Sequence, residues 1–599
     1  MTPNSAFIAY LNSLHNIQAS GANALAESQA VNPFFTDIYE PFALAERLKT
    51  LFQEPDPRVV VLSGHAGDGK STVALDLYKA LRGLVATEPL KSPLRERELI
   101  ENGPAPVTIV KDMSELSAEQ RRTWLVEAFA PATGSWLIVS NTGPLLTSLS
   151  DYAQSKGLDG VEDKILGALD RPLHESNLRA HALEGFPKPL LILNLSRFDN
   201  TELGSRVLGR LISHPAWEGC NDCTVQTGCP IALNHRALKE AGTLLEDRVR
   251  WLYRRISEYD QRLTLRQIVA QLAFGLTGGM GCDAAKAYVE ASAASGAARG
   301  TSPLAEIVFS EGFFGYQAGR PSPIALGLRA VLLLHQTHIG GPVSPDFDRV
   351  MQEHPAADWA KLPEALAHLA QTWRAATNSP LKRAALRRLL LLFGRHRPKC
   401  EGAGDLFIDA MLRSPGLRLL DESRRLQRLA LEPVDERDLL GACLDVLREA
   451  FSGFTASQFH KRDDQLFLTL RRPDRAVVQP TQMVLGSLAF RDFGLEYDPE
   501  EKAPVLFYQR GRGNERVTLN LSLPLLDYIL RRSEGELGAS LAPIHRAQLD
   551  SFHAKLLKLE DALPSRAGDI TLLRADISGE VNAYHYLLSQ DGKKLVRQR

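Results

Sequence analysis

Gly64-His65-Ala66-Gly67-Asp68-Gly69-Lys70-Ser71-Thr72 is the stretch whose residue types and spacing speak most plainly of chemistry. It has the form G-x-x-x-x-G-K-[ST]. Glycines let the backbone curl so that its N–H groups face a phosphate chain, the lysine reaches the β- and γ-phosphates, and the hydroxyl holds Mg²⁺. Such a loop works between a strand and a helix, because the helix N-terminus adds a favourable field for anions. Both flanks have that character. Arg58-Val59-Val60-Val61-Leu62-Ser63 reads as a short buried strand, and Ser71 to Leu81 reads as a helix with an apolar face. A chance glycine-rich turn would need neither. The stretch predicts binding of a nucleoside triphosphate, taken as ATP with Mg²⁺, by Gly64, His65, Ala66, Gly67, Asp68, Gly69, Lys70, Ser71 and Thr72.

A hydrolysing site also needs a carboxylate at a strand end, to hold the metal through water, and a polar group to position the attacking water. Asp112, just after Val107-Thr108-Ile109-Val110, is the candidate metal partner beside Ser71, and Glu115 is the candidate base. The competing reading of Asp112-Met113-Ser114-Glu115 is a capped helix start. Asn141 closes the run Ser135-Trp136-Leu137-Ile138-Val139-Ser140 and would contact the γ-phosphate or the water; Asn-Thr-Gly is equally a turn sequence. Arg266, on the helix that starts near Thr264, would reach back to the phosphates and stabilise the transferring group. A solvated arginine on a helix face is its plainer reading.

Cys220, Cys223 and Cys229 place three of the six cysteines within ten residues, and His235 follows six residues later. C-x₂-C is the bite a tetrahedral metal takes from a tight turn, so Cys220, Cys223, Cys229 and His235 form a candidate Cys₃His zinc site. His214 is an alternative fourth ligand. An iron–sulfur cluster is the lesser alternative, suggested by the Cys229-Pro230 ending, and metal-free buried thiols are the other. Cys282, Cys400 and Cys443 read as isolated core residues.

The elements that must position these groups form an α/β core. Apolar runs at 58–63, 107–112, 135–140 and 190–195 alternate with helices, the pattern of a parallel sheet covered on both faces. Polar residues collect at the carboxyl ends of those runs, where ligands bind in such sheets. The expected fold is a P-loop NTPase of AAA+-like type with a parallel sheet core and a helical lid, followed by helical and α+β regions. The expected divisions are a helical segment at 1–55, the ATPase core at 56–250 with a cysteine-rich insertion at 214–236, the lid at 251–300, a helical domain at 301–450 and an α+β domain at 451–599.

Composition narrows the class without deciding it. The 599 residues are 44% hydrophobic and 24% charged with formal net charge −1, so any nucleic-acid surface has to be local. Arg254-Arg255, Arg387-Arg388, Lys461-Arg462, Arg471-Arg472, and Phe507-Tyr508 with Arg510 and Arg512 are the local candidates. The start of the sequence lacks the pattern of a signal peptide, no apolar run approaches the ~20 residues that span a bilayer, and few cysteines in a long chain do not make a secreted framework. The expectation is a cytoplasmic protein with no membrane partner.

Gly64 to Thr72, Lys111-Asp112-Met113-Ser114-Glu115-Leu116, Asn141-Thr142-Gly143, Leu193-Asn194-Leu195-Ser196 and the Cys-Pro ending together resemble the DNA phosphorothioation-dependent restriction (DptF-like) P-loop ATPases over roughly residues 55–280. The resemblance implies an ATP-driven component of a prokaryotic restriction or anti-phage defence complex, acting with protein partners and on DNA directly or through them. It implies phosphate and Mg²⁺ roles for Lys70 and Ser71. A homo-oligomer fits the same picture. The alternative is a nucleotide-dependent assembly or signalling switch with slow hydrolysis, and a small-molecule phosphotransferase is a third reading that the long extensions disfavour.

Overall fold

Val59–Ser63 is buried along its whole length, and a strand of that kind has to be covered on both faces. It is strand β1 of a six-stranded sheet in the computed structural model. The other strands are β2 (Arg97–Ile100), β3 (Val107–Val110), β4 (Ser135–Val139), β5 (Ala182–Leu183) and β6 (Leu190–Asn194), and the spatial order is β2-β3-β4-β1-β6-β5. The structure describes the whole chain except residues 1–2, 16–33, 39, 41–42, 66, 86–87, 89, 91, 104, 159, 172, 174–176, 199, 259–261, 295–302, 337–360, 377, 395–413, 430, 461–462, 470–480, 500–502, 512–514, 537–540, 562–568, 590–594 and 598–599. Ala66, Cys400, Lys461-Arg462, Arg471-Arg472 and Arg512 therefore lie outside the described residues.

Strands β3, β4, β1 and β6 run parallel, while β2 and β5 close the two edges antiparallel. The expectation of a parallel sheet is corrected to a mixed one. Both antiparallel strands escaped the sequence reading because neither has the apolar run that marks a central strand: Arg97-Glu98-Leu99-Ile100 is half charged, and Ala182–Leu183 is two residues long. An edge strand needs no such run, since one of its sides meets solvent.

The strict alternation of a strand divides the core in two. Val60, Leu62, Leu137, Val139, Leu191 and Leu193 face the helices Ala43–Phe52 and Lys70–Arg82. Val59, Val61, Trp136, Ile138, Leu190 and Ile192 face the helices Ala118–Phe129, Thr142–Ser155 and Val161–Asp170.

The entrance to β4 is unusually close to its neighbour. An ideal Cβ at Gly134 would stand 1.8 Å from the carbonyl oxygen of Pro106, and that oxygen also accepts from the Ser135 N–H at 2.9 Å. Backbone cannot swing aside as a flexible side chain does. Gly134→Ala is therefore expected to destabilise the protein by about 3 kcal/mol, measured as a lower urea midpoint at unchanged slope. An unchanged midpoint would mean that Pro106 yields at no cost.

The chain divides into two units, Met1–Leu412 and Arg413–Arg599. Beyond the six-stranded sheet the first unit is helical apart from a short hairpin, Tyr316–Gln317 with Arg320–Pro321, and its helices include Pro230–Ala241, Thr243–Glu258, Leu265–Thr277, Cys282–Ala294, Glu364–Ala375 and Pro380–Phe393. The second unit holds a five-stranded antiparallel sheet and a three-stranded one. Its core takes in Leu439, Cys443, Leu447 and Phe451 of the helix Pro433–Ser452. Composition groups that helix with the helical stretch before 450, whereas packing assigns it to the strands that follow. Among the described residues no helix is long and apolar enough to cross a membrane.

Candidate nucleotide site

The chain leaves β1 at Ser63 and turns sharply at Gly64, whose φ of 145° has no room for a side chain: a Cβ there would lie 2.8 Å from Oδ2 of Asp68. Gly67 and Gly69 hold φ of 89° and 91°, left-handed values that glycine takes without strain. The helix Lys70–Arg82 begins at once, and no side chain caps it. Its first N–H groups are thus without an internal acceptor, the condition under which a helix start receives an anion.

Lys70 is buried, and its ammonium folds back over the loop. Nζ donates to the carbonyls of Gly64 (2.9 Å) and His65 (2.8 Å) and to Oδ1 of Asn141 (3.0 Å). Burial pushes its pKa down, opposed by the charges of Asp68 and Asp112, while Arg262 adds a smaller downward push. Ser71 and Thr72, the next two residues of the helix, are half-buried.

The ends of β3 and β4 meet this loop through a short relay. Asp112 Oδ1 accepts from the Ser114 N–H at 2.8 Å, and Ser114 Oγ accepts from the Asn141 N–H at 2.7 Å. Asn141 then reaches Lys70. The order β3-β4-β1 makes this possible, because it sets the carboxyl ends of three parallel strands side by side. Of the two readings the sequence left open for Asp112, the structure shows the cap. Asp112 caps the 3₁₀ turn Met113–Glu115, and it stands close enough to Lys70 for its charge to act there. Glu115 is exposed on that turn and is not among the side chains drawn together here.

The helix Leu265–Thr277 brings its start onto the loop. A Cβ at Gly67 would lie 3.0 Å from Oγ1 of Thr264 and 3.5 Å from Cβ of Arg266. Arg266 stays exposed, although the protein crowded around it lowers its pKa through burial.

The residue that spacing did not single out is Arg262. Its guanidinium donates to Asp68 Oδ2 at 2.9 Å and to the Leu195 carbonyl at 2.6 Å, joining the loop to the end of β6. Asp68 is fully buried and also accepts from the His65 N–H at 2.7 Å. Arg262 stands in the same run as Arg266, but the pairing spans 194 positions and leaves no local trace. Arg262→Ala would strand a buried carboxylate. It is expected to cost about 1–3 kcal/mol, read as a lower urea midpoint, with Asp68→Asn in the same chain recovering much of it. A variant as stable as the parent would show that the bond carries no weight.

Both histidines offered as the fourth ligand of the candidate Cys₃His set make other contacts within the chain. His235 hydrogen-bonds through Nε2 to the Ile212 carbonyl at 2.8 Å and stacks on Trp217 with ring centroids 4.1 Å apart. His214 stacks on Phe7 at 3.9 Å, accepts from the Ala216 N–H through Nδ1, and holds Nε2 3.3 Å from Asp37. Among the described residues no three or more His, Cys, Asp or Glu side chains are arranged as ligands for a metal ion.

Several candidate nucleic-acid contacts are also withdrawn. Arg387 and Arg388 are completely buried, and Arg388 pairs with Glu311. Arg255 is buried against Glu258, and Arg254 meets Glu202. Tyr508 lies in the core of the second unit, and Arg516 covers the ring of Phe507 at 3.8 Å. A stacking platform needs an open aromatic face, so this pair does not supply one.

A scan against protein-family models and searches of curated proteins and solved structures find no match to this chain.

Proposed function

We propose that the chain binds ATP at Gly64–Thr72 and hydrolyses it as an AAA+-like P-loop ATPase. The observation that carries this reading is Lys70 Nζ lying over the glycine loop, 3.0 Å from Asn141 at the end of the adjacent parallel strand. A phosphate chain entering the loop would give that ammonium anionic oxygens in exchange for carbonyl partners, together with the uncapped N–H groups of the helix Lys70–Arg82. The residues present fit the metal as well: Ser71 and Asp112 would hold Mg²⁺, which spreads charge off the phosphates when bound. Asn141, which accepts from Lys70, would orient a water, while Arg266 at the loop edge is the candidate cation for the transferring group.

The resemblance to phosphorothioation-dependent restriction ATPases assigns this cycle a task, namely driving or gating protein partners that act on DNA. The test is ATP turnover by the purified full chain, with and without modified and unmodified duplex DNA, beside Lys70→Ala. DNA-stimulated turnover that Lys70→Ala abolishes supports the motor reading. One observation favours the slower switch: the Lys70 ammonium already has three partners from the chain itself. Tight ATP binding with negligible turnover and nucleotide-dependent oligomers would select that reading. Absence of ATP binding would overturn both.

A further inference from the structure

The three cysteines of the 220–229 run gain a neighbour that sequence spacing could not supply. The run is a chain of tight turns: the Cys223 N–H donates to the Cys220 carbonyl at 3.3 Å, Gln226 to Cys223 at 3.0 Å, and Cys229 to Val225 at 2.8 Å. The helix Cys282–Ala294 packs against it, since a Cβ at Gly228 would stand 3.2 Å from Cγ1 of Val289. The first residue of that helix, Cys282, is thereby not an isolated core residue. It is half-buried, as Cys220, Cys223 and Cys229 are, and all four are free thiols.

The helix Pro3–Leu14 lies at the same junction: Asn4 Nδ2 donates to the Gly219 carbonyl at 3.2 Å and lies 3.8 Å from Cys220 Sγ. Ser5, the next residue of that helix, stands beside Cys282, and Cys220, Cys229 and Cys223 are all within electrostatic reach of Cys282.

We propose that Cys220, Cys223, Cys229 and Cys282 form a four-thiolate structural zinc site that fastens the helix Cys282–Ala294 to the 220–229 turns. Four sulfurs at about 2.3 Å around one ion satisfy zinc's tetrahedral preference, and C-x₂-C supplies two of them from one turn. His235 Nε2 is held by the Ile212 carbonyl, and His214 Nε2 stands 3.3 Å from Asp37. The Cys-Pro ending has its own cause: Pro230 is the first residue of the helix Pro230–Ala241, where its fixed φ suits the helix and its missing N–H costs nothing. It therefore gives no support to an iron–sulfur cluster. Among the described residues the thiols do not form a ready-made ligand set. Binding would draw them together and release their protons to water, so zinc uptake should strengthen as pH rises.

The test is metal analysis of the purified full chain, followed by the absorption spectrum of the chain reloaded with cobalt(II). The expected result is about one zinc per chain and the intense thiolate-to-cobalt charge transfer of a tetrahedral four-sulfur site. Cys282→Ser is expected to lose the zinc, and His235→Gln to keep it. Should Cys282→Ser fail to fold, the cobalt spectrum of the parent still counts the sulfurs. A chain that takes up no zinc or cobalt, a disulfide among the four, iron with acid-labile sulfide, or zinc retained in Cys282→Ser and lost in His235→Gln would each overturn the proposal. None of these measurements depends on ATP turnover.

Discussion

Lys70→Ala is expected to lower ATP turnover by about 10²–10³-fold, the usual cost of removing one preorganised charge donor from a transferring group. The geometry gives the reason. Lys70 is the cation that the structure holds over the glycine loop, and Asn141, Asp112 and Asp68 all act on its ammonium. Methylene and ammonium are lost together in alanine, so Asn141 loses its partner as well. On the proposed reading the loss should fall on binding and turnover alike, because Lys70 would meet the ground-state phosphates before any bond breaks. The check is steady-state turnover with an independent ATP-binding measurement, and a thermal melt to show that the variant folds. Turnover within threefold of the parent would remove Lys70 from the chemistry.

The second large effect concerns stability. Arg388→Met is expected to cost about 3–5 kcal/mol, because it leaves the buried Glu311 carboxylate without its cation. Arg388 lies on the helix Pro380–Phe393 and Glu311 on Phe309–Phe313, and both side chains are fully shielded from water. Nε donates to Glu311 Oε1 at 2.7 Å and Nη2 to Oε2 at 3.1 Å, while the guanidinium rests 3.8 Å from the Tyr316 ring centroid. Glu311 also accepts from the Gly319 N–H at 2.9 Å, which alone cannot offset a buried charge. Adding Glu311→Gln to Arg388→Met removes the stranded charge, so the double variant should regain a large part of the loss. Urea unfolding of the four chains measures the coupling. A single-variant loss below about 1 kcal/mol would mean that the site reorganises or hydrates.

These two residues were read with very different success. The setting of Lys70 was legible because its loop is local: glycines, lysine and hydroxyl fall within nine residues, flanked by a strand and a helix. Arg388 was read as one half of a surface basic pair, and the structure buries it. Charge in a sequence signals solvent until a partner is known, and the partner here lies 77 positions away. The cysteines divide in the same way. Three were grouped by spacing, whereas the packing of the helix that begins at Cys282 against Gly228 is written near neither segment.

By itself, then, the sequence determined the glycine loop, the four apolar strands of the sheet centre and the polar residues at their ends. Each is specified by neighbours in the chain, through backbone conformation and the period of burial. Only the tertiary structure decided that β4 lies between β1 and β3, so that Asn141 meets Lys70. It alone decided that Arg262 holds Asp68, that the edge strands run antiparallel and that the helix Cys282–Ala294 packs against the 220–229 turns. All of these are pairings between distant segments, chosen by which surfaces bury one another best, and no short stretch of sequence records that choice.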